Sequence, residues 1–570
     1  MPNKQPWFDS YPETARRFNE SSIGHDHLAE VVTVAARNYR NRPAVSTQLP
    51  NGACATLTFG DVDRLTDDFA AYLRGMLGLE AGTPVALMSP NCIGFVVATF
   101  GIFKAGCICT NINPLYTAPE MEHQLNDSGA RVLVIIDLFG DKADAVVPNT
   151  DVQEVVTISL ADYFPQPRKA LMQFVMKRIK KMVPAMRSPH LTLPGAARKG
   201  AEHRKTHGTD VSSYRSGQSS SQAALYQYTG GTTGRSKGAE LTHGNILANA
   251  TSTVSLVEET MDRDDPGCSL VALPLYHITA FALIMIPSLV YGAHAIMIPS
   301  PRPPSNLKAA FENHRITHFS GINTLFAALL EEPWCKGEAL KYLKLCSSGG
   351  AAQLVAVAER WEELTGLPIH QGYGLTECAG CMTLNPFGAN RTGFAGVPVP
   401  LMEVRVADDE GNEVPIGERG EVIARGPSIM RGYLNRPEAT RETLKDGWLH
   451  TGDIGVMDES GYLQIVDRKK DMILVSGFNV YPNEVEDVIA ELDGVVEVGV
   501  VGEPDERTGE SIKAFVVSSE PALDQDRVLE HCRTSLTNYK RPRSVVFVDE
   551  IPKSPVGKIL RRLLREMNEN

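Results

Sequence analysis

Between residues 44 and 466 short apolar runs alternate with segments whose apolar residues recur at helical spacing. Residues 85–88 read as a strand, Ile93–Lys104 as a helix, and 130–136 as a strand that follows a helix carrying Met121 and Leu125. Such alternation predicts βαβ units and a parallel sheet. Leu354, Val357, Trp361 and Leu364 share one helical face, the run stops at Gly366, and a short strand is expected near Ile369. The segment GYGLTE, residues 372–377, then falls in a loop beyond a strand end, where parallel sheets present their ligand-binding loops.

The texture changes at Asp467. A charged stretch, DRKKD, opens a part of the chain with its own amphipathic helix (Val485, Val488, Ile489, Leu492) and β-like runs at 496–501 and 512–517. We therefore expect an α/β fold with a large N-terminal domain, 1–466, divided into subdomains, and a small α+β C-terminal domain, 467–570. Residues 278–297 lack Asp, Glu, Lys and Arg over a length near that of a bilayer span. Pro287, Gly292 and His294 interrupt them, so a buried helix–turn–strand passage is the expectation. The stretch SSYRSGQSSS, 212–221, reads as a linker.

Residues 168–187 differ again. Arg168, Lys169, Lys177, Arg178, Lys180, Lys181 and Arg187 accompany Leu171, Met172, Phe174, Val175, Met176, Ile179, Met182 and Val183, with no acidic residue among them. Two readings stand: a basic amphipathic helix lying on an anionic membrane surface, or the solvated face of an ordinary helix.

Composition narrows the function. The 56 Lys plus Arg against 68 Asp plus Glu give a formal charge of -12, the wrong sign for a surface that courts nucleic acid, so a small-molecule substrate is expected. The 10 cysteines are scattered, and the first residues carry no apolar signal core, which together suggest a reducing, cytoplasmic setting. Cys378 and Cys381 form a CxxC with no second pair or histidine set to complete a zinc site, and we expect it to be coincidental.

The strongest chemical signal is YTGGTTGRSKG, residues 228–238. Gly230, Gly231, Gly234 and Gly238 free the backbone to bring its N–H groups to an anion, Thr229, Thr232 and Thr233 add donors, and Lys237 adds charge. A Walker A loop needs lysine directly after its last glycine and Ser or Thr after that; here Arg235 and Ser236 intervene and Gly238 follows. Taken alone the segment is equally a flexible linker.

With GYGLTE, TGD (451–453), DRKKDMILVSGFNVYPNEVE (467–486) and PKSPVGKILRR (552–562), the loop resembles the ordered motifs of the adenylate-forming superfamily of acyl-CoA synthetases, luciferase and adenylation domains. NPLYT (113–117), EHQLNDSGA (122–130), LPLYHI (273–278) and GYGLTEC are similar to bacterial long-chain fatty-acid CoA ligases. The resemblance covers nearly the whole chain and is weakest from 150 to 221. Gly231 stands where the superfamily often has serine and Ser236 where it often has proline; the double glycine is that of the long-chain ligases.

The resemblance implies a role for each motif. Thr229, Gly230, Gly231, Thr232, Thr233, Gly234 and Lys237 would hold the β- and γ-phosphates of ATP, Thr376 the α-phosphate, and Glu377 a Mg²⁺ ion. Tyr373 and Gly374, with Gly349, Gly350 and Ala351, would form the adenine pocket, and Asp453 and Arg468 would hold the ribose. Lys558 would be the catalytic lysine, His277 would lie near the substrate carboxylate, Lys470 would be a hinge, and Gly477 with Phe478 would border a tunnel for CoA. The small domain would be mobile and would swing about Lys470 between the two steps. The implied reaction joins a fatty acid to CoA through an acyl-adenylate and releases AMP and diphosphate. Loading of a carrier protein, use of medium-chain or other acids, and a non-catalytic acyl sensor are the rival readings. The oligomeric state is left open, a homodimer included.

Overall fold

The computed structural model describes residues 5–229, 236–262, 264–505, 507–554 and 557–567. Gly230, Gly231, Thr232, Thr233 and Gly234 lie outside the described residues.

Two large sheets organise the N-terminal part. The first runs in the spatial order Val397–Pro398, Thr383–Leu384, Ile369–Tyr373, Leu345–Ser348, Ile316–Gly321, Cys268–Val271, His294–Met297, Pro43–Gln48, Cys54–Thr58, and its central strands are parallel. The second runs Gly432–Tyr433, Lys237–Thr242, Ala223–Thr229, Ile108–Asn111, Pro84–Met88, Val132–Ile136, Glu154–Ile158, Leu191–Thr192, parallel from Ala223–Thr229 onward. The helix Ile93–Lys104 touches strands of both sheets, and every one of its residues is buried. Its near-continuous apolar sequence follows from that sandwiched position, with Phe100 and Phe103 against Phe281. Lys104 is tolerated there because its Nζ reaches Asp63 Oδ1 and Asp67 Oδ1, each at 2.6 Å.

The expected βαβ alternation ends earlier than residue 466. From Glu403–Ala407 onward the chain builds an antiparallel sheet with Gly420–Arg425, Leu444–Lys445, Trp448–Met457 and Leu463–Arg468. Of these strands only Glu403–Ala407 comes near a period-two burial pattern, and the short helix Pro437–Thr443 interrupts the meander. The last of them runs through Asp467 and Arg468, so the strand continues past the expected boundary at 466.

The C-terminal part has a five-stranded sheet of Ile473–Val475, Phe478–Val480, Val495–Asp505, Gly509–Ser518 and Ser544–Phe547, with helices Pro482–Ala490, Gln525–Ser535 and Arg561–Glu566. It has its own apolar cluster, including Ile473, Val485, Ile489, Val500 and Val528. A large N-terminal domain and a smaller C-terminal one are therefore both present.

Among the described residues no helix is long and apolar enough to cross a membrane. The apolar run 278–297 is a buried helical passage closed by Gly292 and followed by the strand His294–Met297. The linker reading of 212–221 is only partly met, because Val211–Arg215 forms a 3-10 turn. The basic segment is helical over Arg168–Phe174 with a wider turn over Val175–Ile179, shorter than the full 168–187.

Candidate active site

Four consecutive parallel strands of the first sheet end on one side of it. Past their C-terminal ends come Leu273–Ile278 in LPLYHI, Ile322–Thr324, Gly349–Ala351, and Gly374–Glu377. The GYGLTE loop is held from behind by Asn249, whose Nδ2 donates to the Cys378 and Cys381 carbonyls at 3.1 and 2.6 Å and whose Oδ1 accepts from Cys381 N at 3.2 Å. A Cβ at residue 374 would stand 2.2 Å from the Gly380 carbonyl oxygen, so glycine is required by the close return of the chain. Cys378 and Cys381 are both buried in this packing, and burial pushes their thiols up, Cys378 to about 12. Among the described residues no group of three His, Cys, Asp or Glu gathers to hold a metal.

The glycine-rich segment joins two antiparallel strands of the second sheet, with Thr229 paired to Lys237. Two residues before Thr229, Gln227 Nε2 donates to the Tyr276 carbonyl at 3.0 Å and ties this strand to the LPLYHI segment. Glu377 is the middle residue of the 3-10 turn Thr376–Cys378, and its Oε1 accepts from the Tyr433 hydroxyl at 2.6 Å. The Lys237 ammonium lies 4.9 Å from the centre of the same Tyr433 ring.

Asp453 and Arg468 come from neighbouring strands of the antiparallel sheet, where they are direct cross-strand partners. Asp453 is buried, accepts from the Tyr373 hydroxyl at 2.7 Å through Oδ2, and pairs with Arg468 Nε at 3.3 Å through Oδ1. Burial first, then the Asp453 charge, pushes the Tyr373 hydroxyl well above its ordinary range, so it stays a donor. Asp453 and Arg468, with Thr451, Gly452, Lys469 and Lys470, line a pocket of about 350 Å³.

Lys558 sits in a turn whose Gly557 N donates to Ser554 O at 2.8 Å and whose Ser554 N donates to Lys558 O at 2.8 Å. The turn presses on the N-terminal part: a Cβ at Gly557 would meet Ile322 Cδ1 at 2.3 Å. Burial and then the Arg468 guanidinium lower Lys558 from 10.5 to about 7; Lys470 adds to the shift, while Asp453 and Asp471 oppose it. His277 is lowered to about 4 by burial and by the Lys558 charge. Its Nδ1 accepts from Thr279 N at 3.4 Å and caps the following helical turn, so it has a structural duty as well as its place beside Lys558.

Tyr373, Asp453, Arg468, Lys470, Lys558 and His277 are thus linked to one another by hydrogen bond, ion pair or charge, Glu377 and Lys237 meet at Tyr433, Thr376 adjoins Glu377 in the chain, and Thr229 pairs with Lys237. The structure leaves Gly477 and Phe478 outside this set. Gly477 has φ +83° with open space around it, and Phe478 is 55% exposed and stacks on Tyr539 at 4.7 Å.

A family model described as "AMP-binding enzyme" matches residues 32–434, and one described as "AMP-binding enzyme C-terminal domain" matches 484–558. The chain belongs to the AMP-binding enzyme family. Within that family it is 43% identical over 567 residues to a long-chain-fatty-acid–CoA ligase of Salmonella typhimurium, covering 99% of this chain and 98% of the relative. A long-chain-fatty-acid–CoA ligase of Escherichia coli is 42% identical over 568 residues, with the same coverage. Among solved structures, an anthranilate CoA ligase in complex with anthranoyl-AMP superposes with a TM-score of 0.82 at 27% identity, covering 95% of this chain and 97% of that one.

Sequence reasoning missed Tyr433 and Asn249. Tyr433 lies on a two-residue edge strand whose only trace is a glycine–aromatic pair ahead of the proline that starts a helix. Asn249 sits mid-helix, where nothing local marks its reach to residues 378–381.

Proposed function

We propose that this family member is a long-chain fatty-acid CoA ligase, forming acyl-CoA, AMP and diphosphate from a fatty acid, ATP and CoA through an acyl-adenylate. The observation that favours the reading is that Lys558, from the C-terminal part, lies where the charges of Arg468, Asp453 and Lys470 act on it, and those three residues line one pocket. The fatty-acid specificity rests on the full-length similarity to ligases of that name.

In the first half-reaction a fatty-acid carboxylate oxygen attacks the α-phosphorus, the bond to the β-phosphate bridging oxygen breaks, and diphosphate leaves. Charge builds on the α-phosphoryl oxygens, and cations fixed beforehand lower that barrier most. Lys558 meets the α-phosphate and the substrate carboxylate, Thr376 donates to the α-phosphate, and the hairpin with Thr229 and Lys237 takes the leaving phosphates. Asp453 and Arg468 take the ribose hydroxyls, and Tyr373 with the 349–351 loop takes adenine. Glu377 fits a hard cation: one oxygen is engaged by Tyr433 and the other accepts no hydrogen bond among the described residues. A single carboxylate beside phosphates suits Mg²⁺, which would neutralise phosphate charge there.

In the second half-reaction the CoA sulfur attacks the acyl carbonyl, the C–O bond to AMP breaks, and the thiol proton passes to solvent. Lys470 is the hinge, the domains divide near 467, and the swing exchanges Lys558 for the face bearing Gly477 and Phe478. Support comes from Gly477 itself: it is exposed, meets nothing within 4 Å, and offers a flat edge for a thin ligand.

The basic segment serves as the contact with the cytoplasmic membrane face, from which a fatty acid would be taken. Leu171, Phe174, Ile179 and Met182 are exposed beside Lys177, Arg178, Lys180 and Lys181, an apolar and cationic surface suited to anionic lipid. The function is tested by measuring diphosphate release and acyl-CoA with fatty acids of increasing length. Release that requires long-chain acids, with acyl-CoA formed only when CoA is added, is expected. Release with no dependence on a fatty acid would refute it.

A further inference from the structure

The mechanism above gives Tyr433 no step of its own, yet this side chain touches two of its parts. Its hydroxyl donates to Glu377 Oε1 at 2.6 Å, and Met430 N, three residues before it, donates to the Glu377 carbonyl at 2.8 Å. The segment is pinned on both sides. Gly432 and Tyr433 pair with Glu240 and Ala239, Leu434 N donates to Gly238 O at 2.8 Å, and Tyr433 N donates to Thr440 Oγ1 at 2.8 Å. At Gly432 φ is +152° and a Cβ would lie 2.7 Å from Thr440 Cγ2, so only glycine lets the strand approach the helix Pro437–Thr443 so closely. The Tyr433 ring meanwhile carries the Lys237 ammonium 4.9 Å from its centre.

We propose that Tyr433 is a positioning residue for adenylation: its hydroxyl fixes the Glu377 carboxylate so that Oε2 faces Mg²⁺–ATP, and its ring steadies Lys237 toward the leaving phosphates. The proposal rests on the reading of Glu377 as the carboxylate on the metal side. A free glutamate and a free lysine must each be ordered when the nucleotide arrives, and one rigid aromatic anchored in a sheet removes part of that entropy beforehand.

The test uses the full chain with Mn²⁺ as probe and a non-hydrolysable ATP analogue, so that metal affinity is read directly by paramagnetic resonance without turnover. Tyr433→Phe keeps the ring over Lys237 and removes only the donor. Hydrogen bonds to charged groups lead us to expect Mn²⁺ affinity about ten- to hundredfold weaker, with adenylation falling in step. Thioester formation from supplied acyl-AMP and the melting temperature stay at wild-type values. Glu377→Gln serves as the control on the underlying reading. If Glu377→Gln weakens Mn²⁺ binding and Tyr433→Phe does not, the positioning role is wrong. Equal loss of both half-reactions in Tyr433→Phe would also overturn it, since that marks a merely structural residue. Unchanged Mn²⁺ binding in Glu377→Gln would instead remove the metal-side reading, and this proposal with it.

Discussion

Lys558 gives the sharpest quantitative prediction, because the free enzyme holds its ammonium near 7 rather than 10.5. At pH 8 about a tenth of it is then cationic, whereas beside a bound phosphodiester it regains its proton, so binding takes up ~0.9 proton at pH 8 and ~0.1 at pH 6. His277, lowered to about 4, stays neutral at both values and adds nothing. An alkyl ester of AMP is a suitable ligand because its single charge does not titrate in this range. Calorimetric titration in buffers of different ionisation enthalpy reads the uptake. In Lys558→Met the uptake at pH 8 should vanish, and adenylation should slow by about 10²–10³-fold while thioester formation from supplied acyl-AMP is largely spared. Equal uptake by both proteins, or uptake in the wild type that does not change between pH 6 and 8, would refute the reasoning.

Gly477→Trp should let adenylate accumulate without acyl-CoA, read by chromatography of quenched reactions; normal CoA turnover would remove the proposed tunnel. Changing Lys177, Arg178, Lys180 and Lys181 to glutamate should weaken flotation with anionic liposomes, and unchanged flotation would return that helix to an ordinary solvated surface. His243, its ring centre 3.5 Å from that of His27 with the two rings tilted by 32°, is depressed well below 6.5 by burial. Its folded value lies below its unfolded one, so the stability it contributes is present above pH 6.5 and is lost as pH falls below that. His243→Asn keeps an acceptor for Leu28 N and should lose less melting temperature between pH 6.5 and 4 than the wild type; an identical loss contradicts this.

The parts of the fold legible in the sequence are those governed by local periodicity. Ile93–Lys104, the helix ending at Gly366 and the strand at Ile369–Tyr373 follow from apolar spacing and a left-handed glycine cap. The antiparallel sheet after Glu403 was not legible, since strands of this length alternate weakly and their partners lie far along the chain. The same limit applies to the site. Motifs marked Tyr373, Asp453 and Arg468 one by one, but the hydrogen bond from Tyr373 to Asp453 depends on packing between two sheets 80 residues apart in sequence. Tyr433 left no signal because its value comes from Glu377 and Lys237, neither of which is near it in the chain.

The central claim is that the fatty-acid carboxylate is joined to AMP before it meets the thiol, and isotope transfer tests it most directly. With a fatty acid carrying ¹⁸O in both carboxylate positions, the account predicts one ¹⁸O in each AMP released and one retained in the acyl-CoA. Label absent from AMP, or found in diphosphate or inorganic phosphate, would contradict it.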